Sequence, residues 1–216
     1  MVGLSPDILL RAYGVGLFPM AERHDDSDLY WIDPEKRGII PLDRFRIPRR
    51  FRKTLRNNSF VIKCDTEFEK VIRLCAEPTR NRKETWINDE IVKLYVNLFK
   101  VGKAHSIETW LDQKLVGGLY GVTLGSAFFG ESMFSRVTDA SKVALVHLVA
   151  RLKLSGFTLL DTQFVTNHLN QFGAVEIHRS GYQHLLSAAL EKSATFQREL
   201  DSVSLNSFIQ STTQTS

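Results

Sequence analysis

Two short polar constellations stand out in this chain. The first is Gly130-Glu131-Ser132-Met133-Phe134-Ser135-Arg136, preceded by Phe128 and Phe129. A carboxylate in such apolar company is costly to bury unless it is paired. Glu131 therefore either pairs with Arg136 to fix a loop, or forms a negative wall that receives a cationic substrate. The second is Leu159-Leu160-Asp161-Thr162-Gln163. It sets a carboxylate and an amide at the C-terminal end of an apolar strand, with Asp161 and Gln163 on one face by alternation. Strand ends of α/β sheets are where sites are built. Asp161 either caps the next helix or, with Gln163, orients a nucleophile.

Other chemistry-bearing residues are less pointed. Gly117-Gly118-Leu119-Tyr120-Gly121 is glycine-rich, but no helix follows at once, so it is not a phosphate loop. Its glycines mark a bulge or a close backbone approach. His105, His147, His168, His178 and His184 have no serine or cysteine partner in the pattern and no metal-site spacing. Arg44, Arg46, Arg49, Arg50, Arg52, Lys53 and Arg56 fall within thirteen residues with no acid among them. That run is either a solvated face or a phosphate-binding surface, and the preference for arginine favours phosphate.

These residues need a framework, and the chain is long enough to supply one. Its 216 residues are 43% hydrophobic and 24% charged, which excludes a mini-protein stapled by disulfides. Cys64 and Cys75 alone make neither a bridge framework nor a zinc motif, and two reduced thiols are expected. The net charge of +4 permits a nucleic-acid partner without demanding one. No apolar run approaches the roughly 18 residues of a membrane span. The first residues lack the pattern of a signal peptide, so a soluble cytoplasmic protein is expected.

Ser5-Pro6 opens a first helix. Residues 21–28 read as an acidic loop, and 29–32, 38–42 and 60–63 as strands. Thr66 to Glu69 reads as a capping box, followed by Phe68, Val71, Ile72 and Cys75 on one helical face. After a polar loop over 77–84, Asn88 caps a helix that Gly102 ends. Antiparallel strands are expected over 104–111, 115–124 and 127–129. The long helix 138–154 and a central strand 157–160 follow. Helices are expected near 166–172 and 179–191, then a frayed polar tail from 192. The fold class is mixed α/β.

Seven segments together resemble one known family. They are Tyr13-Gly14-Val15-Gly16-Leu17-Phe18-Pro19, Trp31-Ile32-Asp33-Pro34, Thr85-Trp86-Ile87, Gly102 to Glu108, Leu115 to Val122, Gly130 to Ser135, and Leu160 to Gln163. In this order, from about residue 4 to about residue 190, they closely resemble the bacterial leucyl/phenylalanyl-tRNA–protein transferases. The resemblance implies transfer of Leu or Phe, less readily Met, from aminoacyl-tRNA to the N-terminal Arg or Lys of a protein. The product is an N-degron. It implies a catalytic domain with the fold of the GCN5-related acyltransferases, and no metal and no nucleotide cofactor.

By the same resemblance, Asp161, Gln163 and Glu131 form the catalytic set, with the two acids holding the cationic acceptor. Leu119, Phe128, Met133, Leu148 and Leu160 line the pocket for the aminoacyl side chain. Trp86 stacks on the terminal adenine, and Met20 stands where many relatives carry a second Trp; it can still cover an aromatic face. Arg44, Arg46, Arg49, Arg50, Arg52 and Lys53 become candidates for the tRNA backbone. The implied organisation is a small N-terminal portion 1–63, a catalytic domain 64–191 and a flexible tail 192–216, as a monomer. An acyl-CoA N-acetyltransferase of the same fold would want a glycine-bearing turn where residues 136–142 have none. A non-catalytic tRNA-binding protein would leave Asp161, Gln163 and Glu131 unexplained.

Overall fold

A computed structural model describes residues 5–21, 29–57, 60–78 and 85–214. All but Ala21 of the acidic loop expected at 21–28, and most of the polar loop at 77–84, lie outside the described residues. The helices are α1 (Pro6–Gly14), α2 (Arg49–Asn57), α3 (Phe68–Ala76), α4 (Asp89–Lys100), α5 (Ala140–Leu154), α6 (Asn167–Asn170), α7 (Arg179–Leu190) and α8 (Ser202–Gln214). The strands are β1 (Phe18–Ala21), β2 (Leu29–Ile32), β3 (Lys36–Ile39), β4 (Val61–Cys64), β5 (Ala104–Leu111), β6 (Lys114–Leu124), β7 (Ala127–Ser135), β8 (Leu159–Gln163) and β9 (Val175–His178).

Local chemistry accounts for several of these boundaries. Ser5 Oγ accepts from the Ile8 amide, and Pro6 opens α1 where its missing N–H costs nothing. Asn88 Oδ1 accepts from the Ile91 amide at 2.8 Å and starts α4. The capping box expected at Thr66 does not form. The buried carboxylate of Glu108 takes the Thr66 and Glu67 amides at 2.8 and 2.7 Å, and the Thr66 hydroxyl as well. A charged acceptor from β5 outcompetes the helix's own side chains.

Seven strands form one mixed sheet in the order β4-β5-β6-β7-β8-β3-β9, and β1 pairs with β2 separately. Only β7 and β8 run parallel within it. Helices cover both faces. Leu9 and Tyr13 of α1, Val71 of α3, Tyr95 of α4 and Leu186 of α7 share one apolar cluster. Phe51 of α2, Val146 and Leu148 of α5 and Phe208 of α8 share the other. The mixed α/β class expected from the sequence is what the chain adopts. Its sheet draws strands from both sides of residue 63, since β3 lies between β8 and β9.

Three features differ from expectation. The tail is not frayed: residues 202–214 form α8, and Phe196, Phe208 and Ile209 are buried against α5 and its neighbours. A few apolar residues, with Ala194, Leu200 and Leu205 packed beside them, dock a segment that reads as polar in sequence. The helix near 166–172 shrinks to α6, and the chain then returns as β9 along the sheet edge. The strand expected to end at Phe129 continues to Ser135, which places Glu131 on β7 instead of in a loop.

Candidate active site

The cavity follows from the way β7 and β8 part. Their parallel pairing runs from Ala127↔Leu159 to Phe129↔Asp161. Beyond it, β8 pairs on its other side with β3, with Gly38 opposite Gln163. The two strands open a cavity of about 440 Å³, lined from Gly130 to Ser135 on one side and by Leu160, Thr162 and Gln163 on the other. Such a cleft at strand C-terminal ends is the usual place for a ligand in α/β folds.

A β-bulge aims Glu131. In the β6–β7 ladder Tyr120 faces Ser132 and Gly121 faces Gly130, which leaves Glu131 as the extra residue. A Cβ on Gly121 would lie 2.3 Å from the Phe129 carbonyl oxygen, so only glycine fits there. Gly117 serves the other reading of that glycine-rich stretch, a close approach: a Cβ on it would meet Ala140 at the start of α5 at 2.5 Å.

Glu131 is nearly buried but keeps an edge on the cavity. Tyr13 donates to its Oε1 at 2.6 Å, Tyr95 to its Oε2 at 2.8 Å, and Gln163 Nε2 to Oε2 at 3.2 Å. The two hydroxyls also lie 2.6 Å apart. Two tyrosine protons cannot fill all three oxygen contacts; a protonated Glu131 closes the ring. Burial, the largest cause, pushes the Glu131 carboxyl up to about 7, with Asp161 adding to the rise and the three donors opposing it. Burial beside this acid also holds the Tyr13 and Tyr95 hydroxyls well above their ordinary value, so both stay donors.

The Glu131–Arg136 pairing weighed above does not form; Arg136 pairs with Glu77. Asp161 is fully buried and does not line the cavity. It makes an ion pair with Arg37, itself 1% exposed. Gln163 closes β8 with its amide reaching Glu131.

Leu119, Met133, Leu148 and Leu160 all line the cavity. Phe128 does not: it is fully buried and stacks on Phe196 at 5.8 Å, deeper along β7. Met20 and Trp86 share the cavity wall with the pocket residues. Thr162 and His168 also line it, and Thr162 Oγ1 and His168 Nε2 are buried with no hydrogen-bond partner among the described residues. His168 is held below its ordinary pKa by burial and by Lys142, so its imidazole is neutral at pH 7.

The basic run divides. Arg44, Arg46, Arg49, Arg50 and Lys53 are exposed, whereas Arg52 is half-buried and donates to the Ile47 carbonyl. Arg49 and Arg50 border a second hollow with Asp139 and Lys142. A third hollow shares Asp139 and Lys142 with it, and shares Ser135, Ser141 and His168 with the main cavity. Shared walls thus lead from the α2 arginines to the candidate site.

Tyr13, Tyr95, Arg37 and Tyr182 were not singled out as site residues. Tyr13 and Tyr95 fall on apolar helical faces and read as core. Arg37 sits among charged neighbours in Glu35-Lys36-Arg37.

The relatives of the chain define its class and then its family. A family model described as leucyl/phenylalanyl-tRNA protein transferase matches residues 39–187, and the model of that family's N-terminal domain matches residues 3–35. A leucyl/phenylalanyl-tRNA–protein transferase of Paramagnetospirillum magneticum is 62% identical over 90% of this chain and 93% of its own length. That of Nitrobacter winogradskyi is 58% identical over 89% and 86%, and that of Rhodospirillum rubrum 54% over 94% and 95%. The chain is a transferase enzyme of the aminoacyl-transferring class. It belongs to the leucyl/phenylalanyl-tRNA–protein transferase family. No helix among the described residues is long and apolar enough to cross a membrane.

Proposed function

We propose that this chain transfers Leu or Phe, and less readily Met, from aminoacyl-tRNA to the N-terminal Arg or Lys of cytoplasmic proteins, creating an N-degron. The observation that carries the proposal is an apolar cavity with one carboxylate, Glu131, on its wall. An aminoacyl ester is already activated, so the enzyme has only to bring an amine to it. Leu119, Met133, Leu148 and Leu160 offer the apolar wall a Leu or Phe side chain needs. A misplaced methylene there is worth ~1–3 kcal/mol, which makes discrimination against Ile and Val real but finite. In this reading Trp86 and Met20, on the cavity wall, cover the terminal adenine, and the α2 arginines meet the phosphate backbone.

In the proposed reaction the acceptor's α-ammonium releases one proton to solvent, and the free amine attacks the ester carbonyl. The new peptide bond forms as the bond to the ribose oxygen breaks, and that oxygen leaves with the second proton given up by the attacking nitrogen. In its ionised form Glu131 balances the positive charge of the acceptor, and Gln163 positions the amine or the carbonyl. The test mixes the protein with Phe-tRNA carrying labelled Phe and a peptide that begins with Arg. Label on the peptide N-terminus is expected. Acetyl-CoA turnover without Phe transfer would overturn the proposal.

A further inference from the structure

Asp161 has no oxygen left for a substrate. Its Oδ1 accepts from Arg37 Nε at 3.0 Å and from the Gln163 backbone N–H at 2.7 Å. Its Oδ2 accepts from Arg37 Nη2 at 2.6 Å and Nε at 3.1 Å, and from the Tyr182 hydroxyl at 2.7 Å. Each carboxylate oxygen offers about two lone-pair directions, and these contacts occupy them. The guanidinium is held in turn. Nη1 donates to the Gly16 carbonyl at 2.9 Å, and the Phe18 and Tyr182 rings lie 4.4 and 4.6 Å from its carbon. Burial works against the Arg37 cation, but Asp161 more than offsets it and keeps the group charged.

The contact with Gln163 gives this cluster a use. Gln163 has φ 61, in the left-handed region that residues with a Cβ adopt only with local support. Asp161 Oδ1, accepting from the amide two residues on, supplies that support. With the backbone turned so, the Gln163 amide reaches Glu131 on the cavity wall.

Resting on the transfer reaction proposed above, we propose that Arg37 and Tyr182 are positioning residues. They act through Asp161 to hold Gln163 against Glu131, and the charge of Asp161 is spent on Arg37 instead of facing the acceptor. No part of this cluster touches substrate. It sets the angle at which Gln163 meets the amine and the ester.

The test is steady-state Phe transfer to an Arg-peptide, with the folded fraction of each variant measured by thermal unfolding. Arg37→Lys keeps the charge but loses the fork. Its kcat per folded molecule should fall about tenfold or more, with KM for Phe-tRNA and for peptide within about twofold of wild type. A residue that served stability alone would lower the melting temperature and leave that kcat unchanged, which overturns the proposal. Tyr182→Phe, a milder change, should lower kcat several-fold, again at unchanged KM; unchanged kcat removes Tyr182 from the set. The paired variant Arg37→Met/Asp161→Asn removes both charges yet keeps an oxygen for the Gln163 amide. It should keep KM for the Arg-peptide near wild type and transfer faster than Arg37→Met alone. If its KM for the peptide rises about a hundredfold, the Asp161 charge does face the acceptor and the proposal fails. Wild-type protein that transfers no Phe would instead defeat the proposed function.

Discussion

Replacing Glu131 with Gln should remove a pH dependence of stability that the wild-type chain carries. The Glu131 carboxyl stands at about 7 against an ordinary 4.5, chiefly because of burial. Between those values the folded state keeps a proton that the unfolded chain has released. The contribution of a group raised in this way is fully present below about pH 4.5 and is lost as pH climbs through about 7. At ~1.4 kcal/mol per pH unit, the loss comes to roughly 3 kcal/mol. Glutamine does not ionise and should not show it. Urea unfolding of both chains from about pH 5 to about pH 8 isolates the effect, because other titrations cancel in the difference. The stability of Glu131→Gln relative to wild type should improve by roughly 2–3 kcal/mol across that range. A difference constant to within ~0.5 kcal/mol would mean that Glu131 ionises as a solvated acid does, and the hydrogen-bonded ring built on its proton would fall with it. The same ionisation should appear in function. KM for an Arg-peptide should fall as pH rises through about 7 in the wild type, and Glu131→Gln should lack that limb.

Trp86→Ala should raise KM for Phe-tRNA with kcat nearly unchanged, since base stacking on an aromatic is worth ~1–3 kcal/mol; an unchanged KM would take Trp86 out of the adenine site. Charge reversal at Arg49 and Arg50 should weaken tRNA binding and flatten its salt dependence by about 0.9 per lost phosphate contact in a log–log plot, so equal slopes would return that helix to a solvated face. Phe208→Ala with Ile209→Ala should cost several kcal/mol, roughly 2–5 for each buried side chain, read as a lower melting temperature. Melting at the wild-type temperature would show that α8 adds nothing to the core.

The long α5 was legible because its wide apolar face repeats at helical spacing, and α4 because Asn88 caps it and Gly102 stops it. The bulge at Glu131 was not legible. A bulge is defined by its partner strand, and no residue of β7 alone announces that two of them will face one of β6. The chemistry of Glu131 and Gln163 was readable as polar residues in apolar company, but their partners were not. Tyr13 and Tyr95 satisfy a helical apolar face and a buried acid at once, and periodicity reports only the first. Arg37 was hidden for the opposite reason. It sits among charged neighbours, and only the approach of Asp161 from 124 positions along the chain makes it a core residue. Phe196 stands alone and Phe208-Ile209 sits among Ser, Thr and Gln, so neither raises the local pattern above that of a tail.

The same contacts change how the N-terminal segment is understood. The two family models divide the chain between residues 35 and 39, and β1 and β2 form a sheet of their own. Yet the segment before that division reaches both carboxylates of the candidate site. Tyr13 of α1 holds Glu131 directly. Gly16 and Phe18, just beyond α1, hold Arg37, and through it Asp161. Tyr13→Phe, which keeps the ring and its burial, would leave Glu131 with Tyr95 and Gln163 as its donors. Because each donor lowers the Glu131 pKa, the loss of Tyr13 would push that acid further toward its protonated form. Displacing the turn after α1 would leave Arg37 Nη1 without the Gly16 carbonyl in a buried place, where an unmet donor is costly. The N-terminal segment therefore sets the protonation and the orientation of the site, so its docking and the reaction must rise and fall together.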